Sequence, residues 1–289
     1  MQISTHGIVH ASSIDDTDLI LSGTPGAFIS TLNGVLLPNG WSKVFEDTNK
    51  AVYQSDNVQG SQLYLWVDDT TTTFARIRGY KSMSSIDVGV GPFPTDSQLN
   101  GGFYVYKSNS SSTAPRKWDV FADSRMFYFT CDANDSGNFY GGMAFGDGKS
   151  YLQGDVFGGM ISGSVGPSAY WYFPNMTSTN SIFLCSSYNN SVESVALKLY
   201  SHGKSTALGS NYQSFPSEVD NRVHFWPVAY WEGSTCERGL CAGIWNPIHT
   251  QIPDRLIITD IPELPGREIL IKTISGAYNI GFDLTGPWR

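Results

Sequence analysis

Catalysis and metal binding need particular side chains at particular spacings, and this chain offers few places to look. Its histidines are His6, His10, His202, His224 and His249. His6 and His10 lie four apart but precede the first helical pattern and have no Glu between them, so they do not form the two-histidine metalloprotease helix. Ser162-Gly163-Ser164-Val165-Gly166 approaches the tight turn that exposes a nucleophilic serine, yet lacks the first glycine of that motif. Gly148-Lys149-Ser150 matches the end of a phosphate-cradling loop and lacks the glycine five residues earlier. Asp15-Asp16 and Asp68-Asp69 are adjacent carboxylates. Neighbours on a strand point to opposite faces, so adjacency does not build the acid and base of glycan hydrolysis. Cys236 and Cys241 could close a small disulfide loop or stand as free thiols, and two cysteines at this spacing fall short of a zinc ligand set. The sequence therefore predicts a non-enzymatic protein with no catalytic residue, no cofactor and no metal.

The elements around these residues follow from composition. The chain has 289 residues, 40% hydrophobic, enough for one sizeable core or two smaller ones. Charged residues make up 15%, against a usual value of about a quarter, while aromatics reach 13% beside 30 Gly and 14 Pro. Few charges, many rings and frequent turn formers suit a β-rich body and not a disordered chain. The net charge is −8, and the 18 Lys and Arg are scattered, the tightest groups being Arg76 with Arg78 and Arg116 with Lys117. Nucleic-acid surfaces normally carry a basic stripe, so direct nucleic-acid binding is not expected. No run approaches the ~20 apolar residues of a membrane span, and Met1–His6 does not resemble a secretory signal.

Thr24-Pro25-Gly26 opens a helix, with Thr24 as N-cap and Pro25 in the first turn. Phe28, Ile29, Leu32, Val35 and Leu36 share one face of it, and Pro38-Asn39-Gly40 ends it. From Trp41 the pattern changes to short strands divided by turns. Residues 62–80 read as a β-hairpin, with Arg76 and Arg78 on one face and Ala75, Ile77 and Gly79 on the other. Residues 83–102, rich in Gly, Pro, Asp and Ser, read as a long ordered loop with an exposed Phe93, a candidate contact. Strands near 103–107, 118–123, 125–130, 141–147 and 155–161 follow at intervals of roughly ten residues, and others lie at 181–185, 192–200, 222–231, 255–259, 267–274 and 277–282. The expected architecture is mainly β: one or two antiparallel sandwich- or barrel-like domains with a short N-terminal helix. The division drawn is 1–40, 41–165 and 166–289, with one continuous body as the alternative.

Several phrases resemble a known family. They are Leu21-Ser22-Gly23-Thr24-Pro25-Gly26 before an apolar helix; Trp41-Ser42-Lys43-Val44-Phe45 with Thr48-Asn49-Lys50-Ala51-Val52-Tyr53; and Leu63-Tyr64-Leu65-Trp66-Val67-Asp68-Asp69 leading into Ala75-Arg76-Ile77-Arg78-Gly79-Tyr80. Gly91-Pro92-Phe93-Pro94-Thr95, Gly101-Gly102-Phe103-Tyr104, Arg238-Gly239-Leu240 with Trp245, Pro247 and His249, and a closing Trp288-Arg289 complete them. In this order the chain resembles virion structural proteins of tailed bacteriophages that infect Gram-negative bacteria. Residues 166–235 carry none of the phrases. The resemblance implies a tail or baseplate subunit in the virion, assembled in the host cytoplasm and acting through protein–protein packing. A capsid decoration or head–tail connector protein, and a receptor- or glycan-binding module at the tail tip, remain alternatives. The implied partners are other virion proteins and further copies of the chain, as a homo-oligomer or on a symmetric platform. Besides Phe93, the apolar end with Phe282, Leu284 and Trp288 is the preferred contact, and the last strand of its own sheet is the competing reading of that segment.

Overall fold

The computed structural model describes residues 7–55, 61–134, 141–152, 155, 158–166, 182–188, 193–201, 215–232, 236–249, 251–274 and 278–288. It is mainly β, with antiparallel sheets and one short N-terminal helix. In chain order the strands are β1 (Val9–Ser12), β2 (Ser42–Asp47), β3 (Lys50–Gln54), β4 (Tyr64–Asp68), β5 (Phe74–Ser85), β6 (Val88–Phe93), β7 (Phe103–Tyr106), β8 (Lys117–Ala122), β9 (Met126–Asp132) and β10 (Gly141–Asp147). They continue as β11 (Lys149–Ser150), β12 (Gly159–Ser162), β13 (Ile182–Ser186), β14 (Glu193–Ser201), β15 (Phe225–Glu232), β16 (Cys236–Pro247), β17 (Ile257–Ile258), β18 (Ile269–Ile274) and β19 (Tyr278–Asp283).

Two sheets result. The smaller runs β2-β3-β4-β5-β6, with β7 also paired to the first half of β5. The larger runs β1-β8-β9-β10-β12-β13-β14-β15-β16-β19-β18-β17, with β11 paired to β16, and it curls on itself. Hydrogen bonding passes straight across the boundary drawn at 165/166: β12 pairs with β13 through Met160↔Leu184 and Ile161↔Phe183. A split into 41–165 and 166–289 would cut one continuous sheet.

Strand alternation here separates two cores rather than core from solvent. On β8 and β9, Trp118, Val120, Phe127 and Phe129 face a first core shared with the helix and the small sheet. Phe121, Met126 and Tyr128 face a second core inside the curl, shared with Leu270, Ile280 and Phe282. The same happens on β13, where Phe183 and Cys185 face the first core and Ile182 and Leu184 the second. Strands buried on both faces read as continuous apolar runs, and every residue of β9 and β10 is buried. Each large apolar side chain buried this way contributes about 1.5–3 kcal/mol. A third, smaller core gathers Val223, Phe225, Ile252, Ile261, Ile269 and Ile271.

The helix α1 spans Ala27–Leu36 and buries Phe28, Leu32, Val35 and Leu36, while Ile29 is half-buried. Its expected N-cap is corrected. Gly26, with φ of 81°, occupies that position, and no local side chain caps the helix. Instead the carboxylate of Asp69 accepts from the backbone N–H of Phe28 at 2.8 Å and of Ile29 at 3.4 Å. Thr24 is turned away: its hydroxyl bonds Ser22 and its carbonyl accepts from Lys107 Nζ. Residues 83–93 are likewise not loop. They form the outer arms of the β5–β6 hairpin, leaving only 94–102 irregular.

Candidate functional site

The residues singled out for contact are found inside the chain's own packing. Phe93 is fully buried, and its ring fills the space beside Gly79, where a Cβ would stand 2.3 Å from it. Phe282 is fully buried and stacks on Phe121 with ring centroids 4.0 Å apart. Trp288 lies against Tyr128 and over Gly243, and its Nε1 donates to the Asp283 carbonyl at 3.0 Å. Leu284 is partly buried against the same second core. The reason is topological: β19 is inserted between β16 and β18 rather than left at an edge, so the apolar chain end closes a core. These four side chains are therefore not a free contact surface.

Cys236 and Cys241 are free thiols, the first exposed and the second buried. Both lie in the single strand β16, where five residues of extended chain span about 16 Å, well beyond the ~4.4–6.8 Å between Cα atoms that a disulfide tolerates. The disulfide reading is corrected accordingly. Asp68 and Asp69 point apart, Asp68 binding Thr70 at the surface while Asp69 is fully buried, whereas Asp15 and Asp16 both accept from Ser12. Ser162 Oγ accepts from Ala144 N–H at 3.0 Å. His6 and His202 lie outside the described residues.

Charged groups are instead brought together where the large sheet curls. Asp119 on β8 accepts from His10 Nε2 at 3.0 Å and Arg255 Nη1 at 2.7 Å on one oxygen, and pairs with Lys272 Nζ at 3.1 Å through the other. Burial pushes this carboxyl up, but the His10 hydrogen bond and the Lys272 and Arg255 charges outweigh it and hold it well below the usual carboxylate range. Asp119, Arg255 and Lys272 help line a cleft of about 130 Å³ that is also lined by Lys117, Asp132 and Asp254. The cluster joins β8, near the start of the sheet, to β18, near its end. Every oxygen of Asp119 is occupied, so this is a fastening for the curl.

The outward face of the small sheet differs. Ala51, Tyr53, Leu65, Val67, Ala75 and Ile77 face the first core. By alternation, Tyr64, Trp66, Phe74, Arg76, Arg78, Tyr80 and Tyr104 point the other way. An ordinary outward face would be polar; here the rings are half-buried and interleaved with cations. The rows are set by register: Trp66 stands opposite Arg78, Tyr64 opposite Tyr80 and Arg76 opposite Tyr104. The Arg76 guanidinium lies 5.2 Å from the Tyr104 ring centre, Arg78 5.7 Å from Tyr80, and Lys50 Nζ 6.0 Å from Trp66. Phe74 meets Tyr104 edge to face at 5.0 Å.

Carboxylates hold Lys50 and Arg78 in place. Arg78 pairs with Asp96 at 2.8 Å and donates to the Pro94 carbonyl at 3.0 Å. Asp87, at the hairpin tip, accepts from Lys50 Nζ at 2.9 Å and Trp66 Nε1 at 3.2 Å. The bond from Arg78 holds the Asp96 carboxyl below its ordinary value, and the bond to Asp87 raises Lys50. Lys50 thus stands near Asp47, Asp68 and Asp87, Arg78 is paired with Asp96, and Arg76 donates to the Asn100 carbonyl and the Tyr104 hydroxyl, both at 3.3 Å. Beside it, Val88 and Val90 are 57% and 68% exposed. Sequence reasoning noticed the pairing of Arg76 with Arg78 but not the rows of rings around them, because those rows come from cross-strand register. No protein-family model matches the chain, and no curated protein matches it.

Proposed function

We propose that this protein is a structural component of a tailed-phage virion, a tail or baseplate subunit that works through protein–protein packing and performs no reaction of its own. The observation that carries the packing role is the outward face of the small sheet. Interfaces concentrate Trp, Tyr and Arg at their centres and exclude unbalanced charge, and the Trp66, Tyr80, Tyr104, Arg76 and Arg78 array has that composition. Its rings are held by neighbours on rigid strands, so little side-chain freedom is lost on association. The position in the particle rests on the family resemblance of the sequence phrases. Repeated copies on a symmetric platform would present this face to equivalent neighbours, at ~1,000 Å² or more per stable contact.

The test substitutes Trp66, Arg78 and Tyr80 together by Ala and follows incorporation into phage particles, with circular dichroism of the purified variant as a control for folding. A folded variant missing from particles supports the reading. A folded variant incorporated at the wild-type copy number removes it. Localisation of the subunit in a particle reconstruction separates tail or baseplate from head connector or capsid decoration.

A further inference from the structure

We infer that His224 is a doubly paired imidazolium that clamps two surface segments together over the third core, making the cover of that core depend on one proton. Its Nδ1 lies 2.6 Å from Glu263 Oε1 and its Nε2 2.9 Å from Asp220 Oδ2. A neutral imidazole carries a single N–H. Two carboxylates at hydrogen-bond distance, one on each nitrogen, are both satisfied only when both nitrogens carry hydrogen. The short contact to Glu263 is typical of a charge-assisted bond.

The two partners come from separate segments. Asp220 lies in the turn closed by Asn221 N–H on the Ser217 carbonyl, and Glu263 in the turn closed by Leu264 N–H on the Ile261 carbonyl. His224 itself sits between Val223 and Phe225, whose side chains enter the third core, and Ile261 enters it from the far segment. A second ion pair, Arg222 with Asp260 at 3.0 Å, bridges the same two segments at the surface. The buried His249 ring, from the segment after β16, lies 6.0 Å from that of His224. The groups gathered at the imidazole are thus Asp220, Glu263 and His249, with Arg222 and Asp260 alongside.

The direction of control follows from the sign. The hydrogen bond to Glu263 raises His224 above 6.5 against a smaller desolvation cost. A raised cation supports the fold fully below 6.5 and loses that support as pH rises through its higher folded value. At the acid end, desolvation raises Asp220, but bonds from Ser217, the Arg222 amide and His224 hold it below 3.8. Its support is present above 3.8 and lost as pH falls through the lower folded value. The clamp is therefore closed between the lowered value of Asp220 and the raised value of His224, and it is released as pH rises through the latter.

The test is an imidazole NMR titration of the intact protein, combined with hydrogen exchange of peptides spanning 217–224 and 256–264, normalised for intrinsic exchange. The expected midpoint of His224 lies above 6.5. Protection of both peptides should fall roughly threefold as pH crosses it, the size a half-exposed ion pair supports. His224→Gln should remove that pH dependence, and Glu263→Gln should lower the midpoint. A midpoint at or below 6.5, protection that ignores pH, or a His224→Gln variant that behaves as wild type would each overturn the proposal. If His224→Gln does not fold, the Glu263→Gln titration decides alone.

Discussion

The sharpest perturbation available is removal of Asp69. Its side chain and that of Lys107 are both fully buried and pair directly, while the same carboxylate caps helix α1 through Phe28 and Ile29. Lys107 also donates to the Thr24 carbonyl at 2.7 Å, so one pair ties β4, β7 and the helix entry together. Asp69→Ala would leave an ammonium buried without its counter-charge, which costs about 3–5 kcal/mol. The lost cap adds to this, since Oδ1 meets Lys107 while Oδ2 takes the two helix amides. Taking ~4 kcal/mol and roughly 2 °C per kcal/mol for a chain of this size, Tm should drop by about 8 °C. In urea the midpoint should fall with the slope unchanged. The double variant Asp69→Leu with Lys107→Met should recover most of the loss, because replacing a buried pair by apolar side chains is often near neutral. Burial pushes Asp69 up to about 6 against the pull of Lys107, and burial likewise lowers Lys107. A raised carboxyl supports the fold fully below its unfolded value near 4 and loses that support as pH rises through about 6. Lys107→Met removes the compensating cation, so the variant should gain more stability than wild type on acidification from pH ~7 to ~4. Single variants each costing under ~1 kcal/mol, with an additive double variant, would refute this account of the pair.

Two other outcomes are expected. Asp119→Ala should leave Lys272 and Arg255 facing each other at the fastening of the curl and cost about 3 kcal/mol in urea unfolding; since the wild-type carboxyl is held low, its support is present above pH ~4 and lost as pH falls through the lower folded value, so wild type and variant should converge in strong acid. In the native protein Cys236 alone should react promptly with a thiol reagent, while Cys131, Cys185 and Cys241 react only on unfolding, because burial raises all three and Cys185 is pushed up to about 12.

How far the fold was legible depends on the range of the interactions. The apolar face of α1 was readable from spacing alone, and the hairpin of 62–80 from alternation; Tyr64↔Tyr80 through Asp68↔Arg76 realise it. The helix cap was not readable, because the acceptor lies 41 residues away in sequence. Residues 83–93 looked like loop because Gly89, Gly91 and Pro92 weaken a strand signal. Gly89 is nevertheless required by packing, since a Cβ there would stand 2.4 Å from the Tyr80 ring, and Gly91 takes φ of 63° within the strand. At the chain end the competing reading, the last strand of its own sheet, matches the structure, although nothing local says that this strand is laid between two others. The candidate face was half legible: spacing put Arg76 and Arg78 on one side, but only register sets Trp66, Tyr80 and Tyr104 beside them.

The low charge content follows from the same architecture. A sheet covered on both faces has no outward row for Lys or Glu, so β9 and β10 leave room for few charges. Charges that do enter must be paired there, since a lone buried charge is costly. Asp69 with Lys107, Asp119 with Lys272 and Arg255, Asp147 with Arg125, and Arg238 with Asp155 and Glu232 each meet that condition. Because Asp69 with Lys107, Asp119 with Arg255 and Lys272, and Arg238 with Asp155 join segments distant in sequence, these pairs fix which segments meet as well as how firmly. The small sheet is the exception. Among the described residues, the side chains that alternation places on its outward face are largely rings and guanidiniums rather than the polar residues that solvent alone would favour.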